Sequence, residues 1–236
     1  MKKSKLMIAL LAVLMLFTAC NKAEDEMTDY VMNISTFITI DGGGDTKQSA
    51  IEQTLKVNNK GSEDMLYLVE TTATSTDMLS GKVVSEENSY IYYDNTYYYT
   101  YPGVRYKSPA DYKLALDNIE NLTRVITFSE KEMVNAEWTE SGEEKRVDYQ
   151  VEYEDASPFV KGILENAAAT FDGVKFSMTE LSASATFKED EATSREMFIC
   201  YDGDNGETIS VEIYTSYGEA EVLEAPDESK YVNIIK

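Results

Sequence analysis

The chain has 236 residues, 43% hydrophobic and 11% aromatic, with 17 tyrosines and only four prolines. That is enough apolar material for one sizeable core, and the wrong composition for a disordered chain. Its 43 acidic residues outnumber 21 basic ones for a formal charge of −22, which argues against nucleic acid as a partner and fits a well-solvated exported surface.

Lys2, Lys3 and Lys5 precede an apolar run from Leu6 to Phe17, followed by Thr18, Ala19 and Cys20. A basic start, a short apolar stretch and small residues describe a secretory leader over residues 1–19, too short to span a bilayer as a stable helix. The cysteine directly after Phe17-Thr18-Ala19 resembles the lipobox of bacterial lipoproteins, with Phe17 where leucine is favoured. That resemblance implies acylation of Cys20 and an extracytoplasmic protein held on the cell membrane by its acyl chains. Residues 20–29 then read as a polar tether, and residues 30–236 as a single domain. With Cys20 taken by lipid, Cys200 has no disulfide partner, and within MFICY it reads as a buried, inert thiol.

After the tether, Met32, Ile34, Ile38 and Ile40 alternate with polar residues, which predicts a strand. A turn at Asp41–Asp45 leads to a returning strand marked by Ile51, Leu55 and Val57, and Asn58–Gly61 turns again into Met65–Thr72. The stretch Tyr90–Lys107 holds eight of the tyrosines, broken at Asp94-Asn95, and predicts a β-hairpin. On its second run Tyr97, Tyr99 and Tyr101 share a face, and Tyr98 points the other way.

Ser108-Pro109-Ala110-Asp111 predicts a helix start, with serine at the N-cap and proline at the first helical position. Tyr112, Ala115, Leu116, Ile119 and Leu122 follow at helical spacing. Strands resume around Val125, and Val147, Tyr149, Val151 and Tyr153 alternate cleanly. Ser157-Pro158 predicts a second helix with Val160, Ile163, Leu164, Ala167, Ala168 and Phe171 along one stripe. Val174, Phe176 and Met178 lie on one parity but Leu181, Ala183, Ala185 and Phe187 on the other, so a bulge near Thr179-Glu180 is expected. Met197–Tyr201 and Ile209–Ile213 form a last hairpin around Asp202–Gly206. The sum is roughly ten strands and two amphipathic helices, a mainly β (α+β) chain whose long antiparallel sheet must curl.

The chemistry for catalysis is thin. There is no histidine, no G-x-S-x-G, no S-x-x-K and no phosphate-binding glycine loop, so neither an enzyme nor a cofactor is expected. Asp202–Glu207 has Ile213 where a calcium loop needs its bidentate glutamate, and reads as a hairpin turn. No metal site is expected. Arg105 and Lys107, unusual in so acidic a chain, suit either an anionic head group or nearby acids.

The lipobox, the meander, the YY-D-N-x-x-Y hairpin (Tyr92, Tyr93, Asp94, Asn95, Tyr98), the exit through Gly103, Tyr106 and Lys107, and the terminal Pro226 and Tyr231 together resemble the LolA/LolB/LppX-like superfamily, in particular LolA-like lipoproteins of Gram-positive bacteria. The resemblance implies an unclosed half-barrel with its two helices on the concave face, where characterised members bind acyl chains. On that basis the expected function is binding of a lipid or other apolar ligand between sheet and helices. The expected lining is Tyr97, Tyr99, Tyr101, Leu116, Ile119, Ile163, Leu164 and Ala167. The alternative is a cell-envelope interaction or sensor module with a filled core and no small ligand.

Overall fold

Strand periodicity governs most of the described chain. The computed structural model describes residues 28–42, 45–77, 80–123, 134–150, 174–188 and 191–234. These contain β1 (Tyr30–Gly42), β2 (Asp45–Asn58), β3 (Leu66–Asp77), β4 (Lys82–Tyr93), β5 (Thr96–Tyr101), β6 (Val104–Pro109) and the helix α1 (Tyr112–Thr123). After them come β7 (Val134–Ser141), β8 (Glu144–Gln150), β9 (Phe176–Lys188), β10 (Glu191–Gly203), β11 (Thr208–Gly218), a 3-10 turn (Glu228–Lys230) and β12 (Val232–Asn233).

The twelve strands form one sheet in the order β12-β6-β5-β4-β3-β2-β1-β11-β10-β9-β8-β7. Only β12 runs parallel to its neighbour, β6. The outermost strands β7 and β12 do not pair, so the sheet is large and unclosed. Accumulated twist makes a sheet of this many strands curl rather than lie flat.

One face carries the core. The cross-strand row through Tyr30 continues through Val57, Tyr67, Tyr92 and Tyr97, and each is at most 5% exposed. The row through Ile40 runs the other way, through Ile209 and Tyr201 to Met178. The apolar band therefore crosses the strands diagonally, from one end of β5 to the opposite end of β9. A helix that crosses the strands obliquely covers such a band. Ala115 and Ile119 of α1 are fully buried in the same cluster.

Several sequence expectations are met in detail. Asp94 and Asn95 adopt φ of 45° and 52° between the paired Tyr93 and Thr96, the left-handed pair of a type I′ hairpin turn. The slip in β9 falls at Thr179: Cys200 pairs with Glu180 and Tyr201 with Met178, leaving Thr179 as the extra residue of a bulge.

Others need correction. α1 starts later than its sequence signal. Ser108 and Pro109 end β6, paired with Tyr97 and Thr96, and Asp111 is the cap, its carboxylate accepting from Leu114 N at 2.8 Å. Proline closes a strand end as readily as it opens a helix, since neither position needs its missing N–H. Cys200 is half-buried rather than buried, because Ile199 and Tyr201 on either side take the inner face. Among the described residues the strands number twelve, where roughly ten were expected for the chain. One helix, not two, lies among the described residues; the second expected helix, with Ile163, Leu164 and Ala167, falls outside them.

The opposite face is crossed by the C-terminal segment. Lys56 Nζ meets Glu221 at 2.7 Å, and Asn58 Oδ1 accepts from Leu223 N at 2.7 Å. Farther on, Tyr231 packs edge-on against Tyr98 with ring centroids 5.2 Å apart. Lys107 pairs with Glu228 at 2.7 Å, and β12 then lines the edge of β6. This strap explains why Tyr98, on the side away from the helix, is only 2% exposed.

Candidate functional site

The candidate site is the inner face of β3–β6 beneath α1. A two-residue turn puts Tyr92 opposite Tyr97 and Tyr90 opposite Tyr99, and the next pairing puts Tyr106 opposite Tyr99. Alternation then aims all of these side chains to one side. Tyr67 enters the group from β3, opposite Tyr92.

The rings form a continuous ladder. Tyr67 stacks on Tyr92 at 5.5 Å and meets Tyr97 edge-on at 6.3 Å. Tyr97 touches Tyr99 at 5.7 Å, Tyr99 stacks on Tyr106 at 4.8 Å, and Tyr106 lies nearly parallel to Tyr101 at 5.9 Å. Such offset and edge-on contacts are the favoured arrangements of aromatic quadrupoles. Burial falls along the ladder, from fully buried Tyr67 to half-buried Tyr101 and Tyr106.

At its buried end the ladder is tied to the helix. Asn118 Nδ2 donates to the Tyr97 hydroxyl at 2.6 Å, and that hydroxyl lies 2.9 Å from the hydroxyl of Tyr67. On β1, burial first, then Tyr217 and Glu120, raise the Tyr30 phenol above its usual value, which places Glu120, farther along α1, near it. The helix thus reaches from β5 toward β1 across the buried face of the sheet. Leu116 and Leu122 are partly buried against the core, and Ile119 is completely buried.

Burial dominates the ionisation of this face. Desolvation holds the phenols of Tyr67, Tyr90, Tyr97 and Tyr99 above the usual tyrosine value, Tyr67 well above it. Tyr106 is pushed up to about 12, by desolvation first and then by its neighbour Tyr101. The inner face is therefore neutral at physiological pH around these rings. What these rings offer is aromatic surface and hydroxyl hydrogen bonds.

Of the expected lining residues, the structure brings together Tyr97, Tyr99, Tyr101, Leu116 and Ile119 on one side of the sheet. Ile163, Leu164, Ala167 and Cys20 lie outside the described residues. Sequence reasoning missed Tyr67 and Asn118. Asn118, three residues after Ala115 and four before Leu122, borders the apolar stripe on the helical wheel and could have been placed; Tyr67 depended on a pairing register the sequence does not display. Lys107 answers an acid, Glu228, and sits on the strap side away from the candidate site. The Asp202–Glu207 loop closes by its own hydrogen bond, Gly203 N to Glu207 O at 2.7 Å, with Asp204 accepting from Lys175 N. It serves as a turn.

Two grooves lined by described residues lie away from the helix interface. One, of about 660 Å³, crosses the outer side of β8–β11 and holds Arg146 between Asp148 at 2.9 Å and Glu196 at 3.1 Å. The other, of about 440 Å³, lies where β5 ends beside β3 and β4.

No protein-family model matches the chain, and no curated protein matches it. Among solved structures it is similar to LprF from Mycobacterium bovis, with 12% identity, 94% of each chain covered and a TM-score of 0.38. It is also similar to a DUF1329 family protein from Desulfovibrio piger, with 9% identity, 96% of this chain and 95% of that chain covered, and a TM-score of 0.20.

Proposed function

We propose that this protein is a lipid-anchored extracytoplasmic lipoprotein, not an enzyme, that holds a lipid or other apolar ligand between its curved sheet and its helix layer. The observation that carries the reading is the one-sidedness of the large unclosed sheet. Its inner face gathers apolar and aromatic side chains from β1–β5 and β9–β11, with an amphipathic helix laid across them. Half-buried Tyr99, Tyr101 and Tyr106 at the end of the ladder add a rim of aromatic surface with hydroxyls, suited to the junction between an acyl chain and its head group. The leader and Cys20 supply the anchor in this reading. The described chain begins at the Tyr30 row, level with the buried Tyr67–Tyr97 end of the ladder: Thr28 O accepts from Lys60 N at 2.8 Å, and Asp29 accepts from Asn59 N at 3.0 Å.

A second reading, an envelope interaction or sensor module with a filled core, is favoured by one contact. The 2.6 Å bond from Asn118 to Tyr97 leaves no room for a chain between helix and sheet at that point. A ligand would have to lie along the outer rungs of the ladder. Solvent extraction of the purified protein followed by mass spectrometry separates the two. Co-purified lipid, or displacement of a fluorescent fatty acid that a Tyr101→Asp variant no longer binds, supports the carrier. Absence of both favours the module. Loss of membrane association in Cys20→Ser tests the anchor independently.

A further inference from the structure

β4 is twelve residues long, but its outer neighbour β5 is only six. The β4–β5 ladder ends at Ser89 opposite Thr100, whereas the β3–β4 ladder continues to Lys82 opposite Asp77. Lys82–Asn88 is therefore paired on one side only, and among the described residues no strand lies on the other. The backbone groups on that side form a ready template for another strand. The other described edge on this side is handled differently: β6 is covered by the chain's own β12, held by the strap.

The uncovered segment has further features of a docking edge. A groove of about 440 Å³ lies at the step where β5 stops, lined by Glu70, Thr72, Glu87, Asn88, Ser89 and Tyr101 among others. Val83 and Val84 are 59% and 37% exposed at its far end. Glu86 and Glu87 lie in the segment itself, and Glu70 is opposite Ser89 on β3. Against these stand Lys82 within the segment and Arg105 beyond its end, opposite Thr100.

We propose that the Lys82–Asn88 edge is a strand-addition site for an extended segment of a partner protein that carries basic residues. Backbone hydrogen bonds to the edge supply affinity, and alternate side chains supply the choice of partner. A partner side chain on the outer side meets Glu87 and Glu70, and one on the inner side meets Glu86, so lysine or arginine on each of the partner strand's two faces, an odd number of residues apart, fits both. Charge sets the occupant. A second copy brings −22 of its own to an already acidic edge, and like charge disfavours that approach. The site is separate from the concave face and does not depend on the ligand reading.

The test uses the full 236-residue chain in detergent and two eight-residue probes, Lys-Val-Lys-Thr-Val-Lys-Val-Thr and the same peptide with glutamate for lysine. The basic peptide is expected to bind, to slow amide hydrogen exchange at residues 82–88, and to lose at least tenfold in affinity on Glu86→Lys/Glu87→Lys; the acidic peptide is expected not to bind. Far-ultraviolet circular dichroism of the double variant confirms that it is folded, since both sites are exposed. The proposal is overturned if the basic peptide fails to bind, protects other amides, or binds the double variant equally well. It is also overturned if residues 82–88 become protected with rising protein concentration alone, which would make a second copy the occupant.

Discussion

Removing a single oxygen from Tyr97 tests how the helix is fastened to the sheet. The Tyr97 hydroxyl is the middle of a three-member chain, 2.6 Å from Asn118 Nδ2 and 2.9 Å from the Tyr67 hydroxyl. Phenylalanine keeps the ring and its contacts but strands both neighbours. Tyr67 is fully buried, so its hydroxyl has no route to water, and leaving such a group without a partner costs about 1–3 kcal/mol. Asn118 is only part-buried and can turn toward solvent, so Tyr97→Phe is expected to cost about 2 kcal/mol in all. Tyr67→Phe removes only the end of the chain and leaves Tyr97 bonded to Asn118, at about 1 kcal/mol. Urea unfolding followed by circular dichroism measures both, with the midpoint moving at constant slope. A Tyr97→Phe variant within about 0.5 kcal/mol of the parent, or a Tyr67→Phe variant that loses more than Tyr97→Phe, refutes the linkage.

Ile119→Ala, at a fully buried position under the helix, is expected to cost about 2–4 kcal/mol in the same urea assay. Asn95→Val places a β-branched residue at φ of 52° and removes the acceptor for the Tyr92 hydroxyl; a loss of about 1–2 kcal/mol is expected. Alkaline titration is expected to unfold the chain. The buried phenols have folded values raised above the usual tyrosine value, by desolvation first. Their stabilisation is therefore complete below about pH 10 and lost as pH rises beyond it. A 295 nm titration in which all tyrosines ionise together near pH 10, with no cooperative unfolding, would contradict the burial of the ladder. The strap has the reverse acid dependence. Hydrogen bonding to Lys107, aided by its charge, holds the Glu228 carboxyl below its usual value, so that contribution is present above the usual carboxylate range and fades as pH falls through the lowered value. Limited proteolysis near Lys230 is expected to be constant between about pH 6 and 9 and faster below about pH 4.

Local chemistry decided what could be read from the residues alone. Period-two alternation marked the strands, the Asp94-Asn95 pair fixed a two-residue hairpin turn, and the parity break near Thr179 located a bulge, because each depends only on neighbours along the chain. From the turn alone, Tyr97, Tyr99 and Tyr101 could be put on one face with Tyr98 on the other. The charge of −22 and the missing histidine bounded the partners and the chemistry in the same way. Which face looked inward was a tertiary question. The helix chose it: Asn118 bonds Tyr97 and Ile119 is buried in the same cluster, and the C-terminal strap covers Tyr98 with Tyr231. Ser108-Pro109 misled for a related reason, since a proline fits a strand end and a helix start equally, and only the pairing of Ser108 with Tyr97 separates them. Long-range register likewise brought in Tyr67, and left Lys82–Asn88 without a partner on one side among the described residues. A strand's sequence records which of its side chains go together; what lies across from them is set by segments far away in the chain.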